Sequence, residues 1–231
     1  MTTDALRHQP LMPHLLIDGL NRYNDEPCLF LGDKVASYKE VRETASQMVQ
    51  ALQSKGLGVG SRVAVISANR PEVLSNIAAM QLNGCIGTPL HPLGSLDDHA
   101  YVLQAAEIDT LIYDASVFED LAAALKQRVP ALKNLLGFGP TKIGEDYLAL
   151  AASFTPKPLV APNVKPDDIA SVNFTGGTTG KPKGVMSTYS VTSYMTQIQL
   201  AEWEFPDDLR MLIATPLSHA AAAFFIPVLQ K

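Results

Sequence analysis

Residues 38–55 carry the clearest periodic pattern of hydrophobic and polar positions in the first part of the chain. Apolar side chains recur there at the spacing of one helix face, namely at Val41, Ala45, Met48, Val49 and Leu52. Ser37 and Glu40 have the spacing of a capping box, and Gly56 follows the last apolar position. The pattern therefore predicts a helix that begins after Ser37 and ends at Gly56.

Short apolar runs then alternate with helical patterns as far as residue 138. The predicted strands are 63–67, 86–90, Thr110–Tyr113 and 134–138. The predicted helices run from Pro71 to Gly84, from a cap formed by Ser95 and Asp98 to Ala106, and from a cap formed by Ser116 and Glu119 to the residue before Pro130. Strands that are apolar throughout are typical of parallel sheets buried on both faces. We therefore predict an α/β fold with a doubly wound parallel sheet flanked by helices.

The alternation stops at residues 139–166, which are rich in proline and predict a connector across the surface. Beyond it we expect a strand before residue 175, a helix near 188–204, a strand near 210–215 and a final apolar helix. The predicted organisation is therefore a first α/β subdomain at 1–138, the connector at 139–166 and a second part at 167–231.

Composition indicates a chain with a substantial core, because 47% of its 231 residues are hydrophobic and 18% are charged. The net charge of −5 argues against nucleic acid or an anionic membrane surface as the main partner. Cys28 and Cys85 are far apart and fit no metal-ligand spacing, which favours a reduced cytoplasmic compartment.

Residues 211–229 form an apolar stretch that is long enough to cross a membrane and holds no Asp, Glu, Lys or Arg. Two prolines interrupt it, Pro216 and Pro227, and Ser218 and His219 are polar. These residues favour a buried strand, a turn and a buried helix, and we expect no integral membrane segment.

The most informative segment runs from Thr175 to Val185 and reads Thr-Gly-Gly-Thr-Thr-Gly-Lys-Pro-Lys-Gly-Val, directly after an apolar strand. Glycines let backbone amides approach a ligand, threonines add hydroxyl donors, and lysines add positive charge. Such a loop suits a polyphosphate. The alternative is a surface turn with solvated lysines, and the Lys-Pro-Lys-Gly continuation argues against it.

The segment differs from the two common phosphate-binding loops. Thr175 occupies the first glycine position of a Walker loop, and Pro182 follows the lysine where that loop has a hydroxyl. Gly177 and Gly180 lack the leading Gly-x-Gly of a dinucleotide loop. Because Pro182 prevents a helix from starting at the lysines, the phosphate would be held by a loop and two lysines.

Residues 174–185 resemble the phosphate loop of the adenylate-forming superfamily, which comprises acyl- and aryl-CoA synthetases, firefly-type luciferases and peptide-synthetase adenylation domains. Gly176 departs from it, since serine is commoner there, and glycine looks similar to some fatty-acyl-CoA ligases. Further elements that resemble the superfamily are residues 36–41, 58–65, 69–72, 83–92 and 216–220. The resemblance implies that the chain is part of the large N-terminal domain of such an enzyme, with the start of the nucleotide-binding part at 167–231.

The resemblance also implies the chemistry. ATP would activate a carboxylic acid, fatty or aryl, to an acyl-adenylate, and coenzyme A would then take the acyl group. The residues implied to bind ATP are Thr175, Gly176, Gly177, Thr178, Thr179, Gly180, Lys181 and Lys183. Thr175 would also contact Mg²⁺, the two lysines would neutralise pyrophosphate, and His219 would act between the α-phosphate and the acyl carboxylate. The alternative for His219 is a histidine that only fills the core.

Two other functions stay open: a ligase that loads an acyl-carrier protein, and a non-catalytic nucleotide-binding module. The intact Lys-Pro-Lys-Gly run favours coenzyme A over the carrier. Members of the superfamily are about twice as long, so we expect an N-terminal fragment that is inactive alone and whose partner is the C-terminal part of the same enzyme. We also expect a cytoplasmic protein, with peripheral membrane association as the alternative location and a homodimer as one option.

Overall fold

The computed structural model of the protein describes residues 9–175, 181–218 and 220–231. Within these residues the helices are α1 (Met12–Arg22), α2 (Tyr38–Ser54), α3 (Pro71–Leu82), α4 (Leu96–Ala105), α5 (Ala115–Arg128), α6 (Tyr147–Ala152), α7 (Tyr189–Glu202) and α8 (Phe225–Leu229), with a 3₁₀ helix at Ala220–Phe224. The strands are β1 (Pro27–Leu31), β2 (Lys34–Ser37), β3 (Arg62–Ile66), β4 (Ile86–Pro89), β5 (Thr110–Tyr113), β6 (Asn134–Gly137), β7 (Glu145–Asp146), β8 (Ile169–Phe174) and β9 (Gly184–Thr188).

A seven-stranded sheet organises the described residues, in the order β7-β6-β5-β3-β4-β8-β9, while β1 and β2 form a separate hairpin. All neighbours in the large sheet are parallel except β9, which pairs antiparallel with β8. The predicted doubly wound parallel sheet is therefore confirmed, with one antiparallel edge strand that the sequence analysis did not predict.

Two hydrophobic cores lie on opposite faces of this sheet. Alternate strand residues point to opposite sides, so Val63 packs with α1, α2 and α3, whereas Ala64 packs with α4 and α5. Val63, Ala64 and Ile66 of β3 are fully buried because helices cover both faces of the sheet. This explains why the strands read as continuous apolar runs in the sequence.

Helix caps confirm the local predictions in two helices and correct a third. Ser37 and Glu40 form the predicted capping box of α2, with Glu40 N donating to Ser37 Oγ at 3.2 Å and Ser37 N donating to Glu40 Oε2 at 2.7 Å. Ser95 and Asp98 do the same for α4. The cap predicted from Ser116 and Glu119 is wrong, because α5 begins at Ala115 with Asp114 as its N-cap.

The end of the sheet and the chain's last segments also differ from expectation. Segment 139–166 contains β7 and α6, and Tyr147 of α6 is fully buried. The strand predicted near 210–215 does not form in the described residues, and Leu212 is 89% exposed there. An apolar run becomes a strand only where a neighbouring strand completes its hydrogen bonds. The α1 helix and the β1–β2 hairpin were not predicted.

β8 lies beside β4 in the large sheet, so strands from both sides of segment 139–166 share one sheet. The division of the chain into three parts stays a prediction. Among the helices of the described residues, none has both the length and the hydropathy needed to cross a membrane.

Candidate active site

The Gly/Thr-rich loop connects the two strands at one edge of the sheet. β8 ends at Phe174 and β9 begins at Gly184, and these two residues are paired. Just beyond them Thr175 N donates to the carbonyl of Lys183 at 3.0 Å, and Lys183 N donates to Thr175 Oγ1 at 3.4 Å. Thr175 and Lys183 therefore close the base of the loop. The predicted phosphate-binding residues 176–180 lie outside the described residues.

Both lysines of the loop are exposed. Neither forms an ion pair with an acidic residue in the described part of the chain. Lys181 instead places its ammonium over the ring of Tyr101, with Nζ 5.4 Å from the ring centroid, and Tyr101 packs edge-to-face on Phe174 at 6.5 Å. The positive charge of the lysines is thus available to an anion.

Gly184 lies where the returning strand passes close to Phe174. A Cβ at this position would lie 3.1 Å from the side chains of Phe174 and Val172. Glycine therefore allows β9 to lie close against the aromatic ring that supports the loop. The sequence signal for this residue was its place in the Lys-Pro-Lys-Gly run.

β8 runs parallel to β3, β4 and β5, so all four strands end on the same side of the sheet, which we call its carboxyl edge. The loop follows β8 and therefore leaves the sheet at this carboxyl edge. The chain leaves β3 toward α3 on one face, and leaves β4 and β5 toward α4 and α5 on the other. Open α/β sheets bind ligands at the carboxyl edge where connections diverge in this way. The described ends of the predicted phosphate loop thus lie at the carboxyl edge of the sheet, the edge at which this architecture binds its ligands.

An ion pair fixes the backbone at this edge. Arg70 Nη1 donates to Asp114 Oδ1 at 3.0 Å and to the carbonyl of Phe138 at 3.2 Å, and Arg70 Nε donates to Glu72 at 3.0 Å. The Asp114 side chain is 4% exposed and also accepts from the amide and hydroxyl of Ser116. The hydrogen bond to Glu72 contributes most to raising the pKa of Arg70. Asp114 thereby joins the ends of β3 and β5 to the start of α5.

His219 lies outside the described residues, so its predicted catalytic role stays a prediction. The segment ahead of it is described and reaches the carboxyl edge of β3. Leu217 is 6% exposed and belongs to the core on the α2 and α3 face. The side-chain amide of Asn69, which follows β3, bonds to the main chain at Thr215 and Leu217. The structure thus brings residues 215–217 to the edge of the sheet from which the loop leaves.

The remaining titratable candidates do not extend the site. Burial raises the pKa of the Cys28 thiol to about 12 and that of the Cys85 thiol to about 11, which leaves both protonated. His99 is 2% exposed, and burial lowers its pKa. The described residues hold no group of three or more His, Cys, Asp or Glu side chains that could bind a metal ion.

Sequence reasoning missed three contributors to this edge of the sheet: Tyr101 beneath Lys181, the pair of Arg70 and Asp114, and the amide of Asn69. Of these, Asn69 and Arg70 belong to segment 69–72. The sequence analysis noted that this segment resembles the superfamily but assigned no function to its residues. Tyr101 had no signal in the sequence, because its contact with Lys181 depends on the packing of α4 against the loop.

The family model of AMP-binding enzymes matches residues 18–230. The chain therefore belongs to the AMP-binding enzyme family, and the resemblance found in its sequence is confirmed. It is 47% identical over 234 residues to the medium/long-chain-fatty-acid–CoA ligase FadD8 of Mycobacterium tuberculosis, a match that covers 99% of this chain and 41% of that relative. The chain thus spans about two fifths of the length of this relative.

Solved structures confirm the fold. The amide bond synthetase McbA of Marinactinospora thermotolerans superposes with a TM-score of 0.83 at 27% identity, covering 96% of this chain and 43% of that one. The N-terminal domain of FACL13 from Mycobacterium tuberculosis gives a TM-score of 0.80 at 20% identity, covering 96% and 55%. The described residues therefore have the fold of the N-terminal domain of adenylate-forming enzymes.

Proposed function

We propose that the protein is an AMP-forming acid–thiol ligase, which activates a carboxylic acid with ATP and transfers the acyl group to coenzyme A. One observation carries the proposal: a Gly/Thr-rich loop with two exposed lysines leaves the carboxyl edge of the sheet in a chain that the AMP-binding family model matches over residues 18–230. The close similarity to a fatty-acid–CoA ligase supports a fatty acid as the substrate.

The loop binds the β- and γ-phosphates of ATP in this proposal. Backbone amides of Gly176, Gly177 and Gly180 and the hydroxyls of Thr178 and Thr179 donate to phosphate oxygens. The hydrogen bonds between Thr175 and Lys183 support the assignment, because they hold both ends of the loop together before the nucleotide arrives. A loop closed in this way loses less conformational entropy on binding.

Lys181 and Lys183 neutralise charge as pyrophosphate leaves. Nucleotidyl transfer depends on positioning and on charge neutralisation more than on covalent help. Hydrogen bonds to charged groups contribute about 1.5–3 kcal/mol each, so a few of them suffice to hold a nucleotide. Exposure of both side chains supports this role, since neither is neutralised by an acidic residue in the described part of the chain.

The oxygen atoms of the loop suit Mg²⁺ if the nucleotide supplies most of the ligands of the ion. The ion binds oxygen ligands, keeps several waters and commonly uses substrate phosphates in place of a complete protein cage. The hydroxyl of Thr175, which is exposed at the base of the loop, is one neutral oxygen that could complete such a set. Bound there, Mg²⁺ would neutralise phosphate charge.

His219 acts at the junction of the α-phosphate and the acyl carboxylate in this proposal, where its ring donates a hydrogen bond to developing charge. The position of Leu217 supports it, because that residue is buried at the carboxyl edge of β3 two residues ahead of His219.

The proposal is tested with the full-length protein that contains this sequence. The protein is incubated with ATP, Mg²⁺, coenzyme A and a panel of fatty and aryl acids, and the products are identified by mass spectrometry. We expect acyl-CoA and AMP, with medium- or long-chain fatty acids as the best substrates. Acyl-adenylate that accumulates with coenzyme A present and is discharged only by an acyl-carrier protein would instead identify a carrier-loading ligase. Binding of ATP without any acid activation would identify a nucleotide-binding module.

A further inference from the structure

Asn69 makes a two-point contact with the segment ahead of His219. Its Nδ2 donates to the carbonyl of Thr215 at 2.9 Å, and its Oδ1 accepts from the amide of Leu217 at 3.0 Å. A neighbouring strand satisfies the carbonyl of one residue and the amide of the residue two further on in the same way. The side chain of Asn69 thus takes the place of a strand partner for a segment that pairs with none of the strands that the structure describes.

The backbone that carries Asn69 is held firmly. Asn69 lies in the short connection between β3 and α3, and the next residue is Arg70, whose guanidinium bonds to Asp114 and to the carbonyl of Phe138. Arg70 is extended, with φ −154° and ψ 151°, as expected for a residue before proline, and Pro71 begins α3. The amide of Asn69 is therefore presented from a fixed point on the sheet.

The segment that Asn69 contacts has few other anchors. Within the described part of the chain, no main-chain hydrogen bond joins residues 205–217 to a strand. Ile213 is half-buried against the core and Leu217 is buried, whereas Leu212, directly ahead of Ile213, is 89% exposed. The two hydrogen bonds from Asn69 therefore help to fix the direction in which the chain leaves Leu217.

We propose that Asn69 is a positioning residue, which sets the main chain at residues 215–217 directly ahead of His219, the residue with the proposed catalytic role. The inference rests on the proposed function, and it adds a residue 146 positions away from the contacted segment. Only a primary amide provides a donor and an acceptor side by side in one plane, so Asn69 is not replaceable by an isosteric aspartate. Because Asn69 is exposed, its contribution to stability is expected to be small and its contribution to geometry larger.

The test uses the full-length protein and the variants Asn69→Ala, Asn69→Asp and His219→Ala. We expect Asn69→Ala to slow single-turnover adenylate formation about 10- to 100-fold, since a small misplacement near reacting groups has effects of this size. The dissociation constant for ATP is expected to change less than about twofold, because the loop is untouched. Hydrogen exchange at the Leu217 amide is expected to accelerate, since that amide loses its acceptor.

Asn69→Asp should also be slow, because its carboxylate faces the carbonyl of Thr215 without a donor. Asn134→Ala is the matched control, because Asn134 Nδ2 donates to Thr110 Oγ1 at the amino ends of β5 and β6, away from the site. This variant should show a normal rate of adenylate formation and normal hydrogen exchange at the Leu217 amide. Adding Asn69→Ala to His219→Ala should lower the rate little further, because both changes remove the same contribution.

Every outcome of these measurements either supports or overturns the positioning role of Asn69. Normal adenylation in Asn69→Ala beside a slow His219→Ala overturns the inference and leaves the proposed function standing. Unchanged exchange at Leu217 in Asn69→Ala, or an Asn69→Asp variant as fast as the wild type, also overturns it. A slow Asn69→Ala beside a normal His219→Ala overturns both the positioning of His219 and its proposed role.

Discussion

The ammonium group of Lys181 lies over the ring of Tyr101, with Nζ 5.4 Å from the centroid. Tyr101 belongs to α4, whereas Lys181 belongs to the loop between β8 and β9. The contact therefore joins that loop to a helix that packs on one face of the large sheet. A cation above an aromatic ring keeps its remaining N–H donors free, because only one side of the ammonium meets the ring. Tyr101 thus holds Lys181 in place while leaving it able to bind a phosphate.

Replacing Tyr101 should weaken nucleotide binding without changing the chemistry of the step. Exposed cation–π contacts contribute about 0.5–1 kcal/mol, so we expect Tyr101→Leu to raise the dissociation constant for ATP about two- to fivefold. Tyr101→Phe keeps the ring face and is the matched control, with near-normal binding expected. Calorimetric titration of ATP into the full-length variants measures both. Equal loss in Phe and Leu variants would attribute the effect to the tyrosine hydroxyl.

Lys183→Ala should lower the rate of adenylate formation more than it weakens binding of the acid. The charge of the lysine matters most as pyrophosphate leaves, so its interaction is stronger in the transition state than in the ground state. Lys39→Ala removes an exposed lysine at the start of α2 and should leave both quantities unchanged. Pre-steady-state adenylate formation and equilibrium binding of the acid give the comparison. A variant of Lys183 with normal adenylation would contradict the phosphate-loop assignment.

His219→Ala separates the catalytic from the core interpretation of this residue. If His219 stabilises developing charge, adenylate formation should fall about 10²-fold or more, the usual scale for losing one such donor. The melting temperature should then change little. A histidine that only fills the core would give the opposite pair of results, a large loss of stability with near-normal turnover. Thermal melting and single-turnover kinetics on the one variant decide between the two.

Asp114→Ala should destabilise the fold. The change leaves Arg70 without its buried partner and removes the N-cap of α5, and we expect a loss of about 2 kcal/mol because hydrogen bonds to charged groups are among the stronger ones. The control is Asp97→Ala, whose ion pair with Arg128 is largely exposed. Such pairs contribute less than about 1 kcal/mol, so its denaturation midpoint should barely move. Equal effects of the two variants would contradict the anchoring role of Asp114.

Stability should fall on mild acidification because of His99. Burial lowers its pKa in the folded state, against the opposing charge of Asp98 and with a smaller contribution from His91. The unfolded chain therefore binds a proton on His99 more readily than the folded protein does. The stability that neutral His99 contributes is fully present above the ordinary pKa of about 6.5, and it is lost as the pH falls from there through the lowered pKa of the folded state. We expect His99→Gln to flatten the dependence of the denaturation midpoint between pH 7 and pH 5. An unchanged slope would exclude His99 as its source.

Local rules predicted much of this fold from the sequence. Ser37 with Glu40 and Ser95 with Asp98 marked helix starts because a capping box involves only residues three apart. The start of α5 was missed because Asp114 and Ser116 are both favoured N-cap types, and the residue that caps α5 is Asp114, whose buried carboxylate also pairs with distant Arg70. The strand expected near residues 210–215 failed for a similar reason, since hydrophobicity alone does not reveal whether a partner strand is present.

The candidate site shows the same difference between local signals, which the sequence reveals, and long-range contacts, which it does not. The glycines, threonines and lysines of the loop are contiguous, so their composition alone indicated a phosphate. Asn69 and Tyr101 act across the fold, on Thr215, Leu217 and Lys181, and no pattern within the sequence brings these residues together. Contacts of this kind become visible only when the packing of helices on the sheet is known.

The most direct test of acid activation is ATP–pyrophosphate exchange by the full-length protein that contains this sequence. Exchange reports formation and reversal of an acyl-adenylate before any thiol takes part. We predict exchange that requires both Mg²⁺ and a fatty acid, proceeds without coenzyme A, and is strongly reduced when Lys181 and Lys183 are both replaced by alanine. Folded protein that gives no acid-dependent exchange with any fatty or aryl acid, or equal exchange in the double variant, would contradict acid activation at this loop.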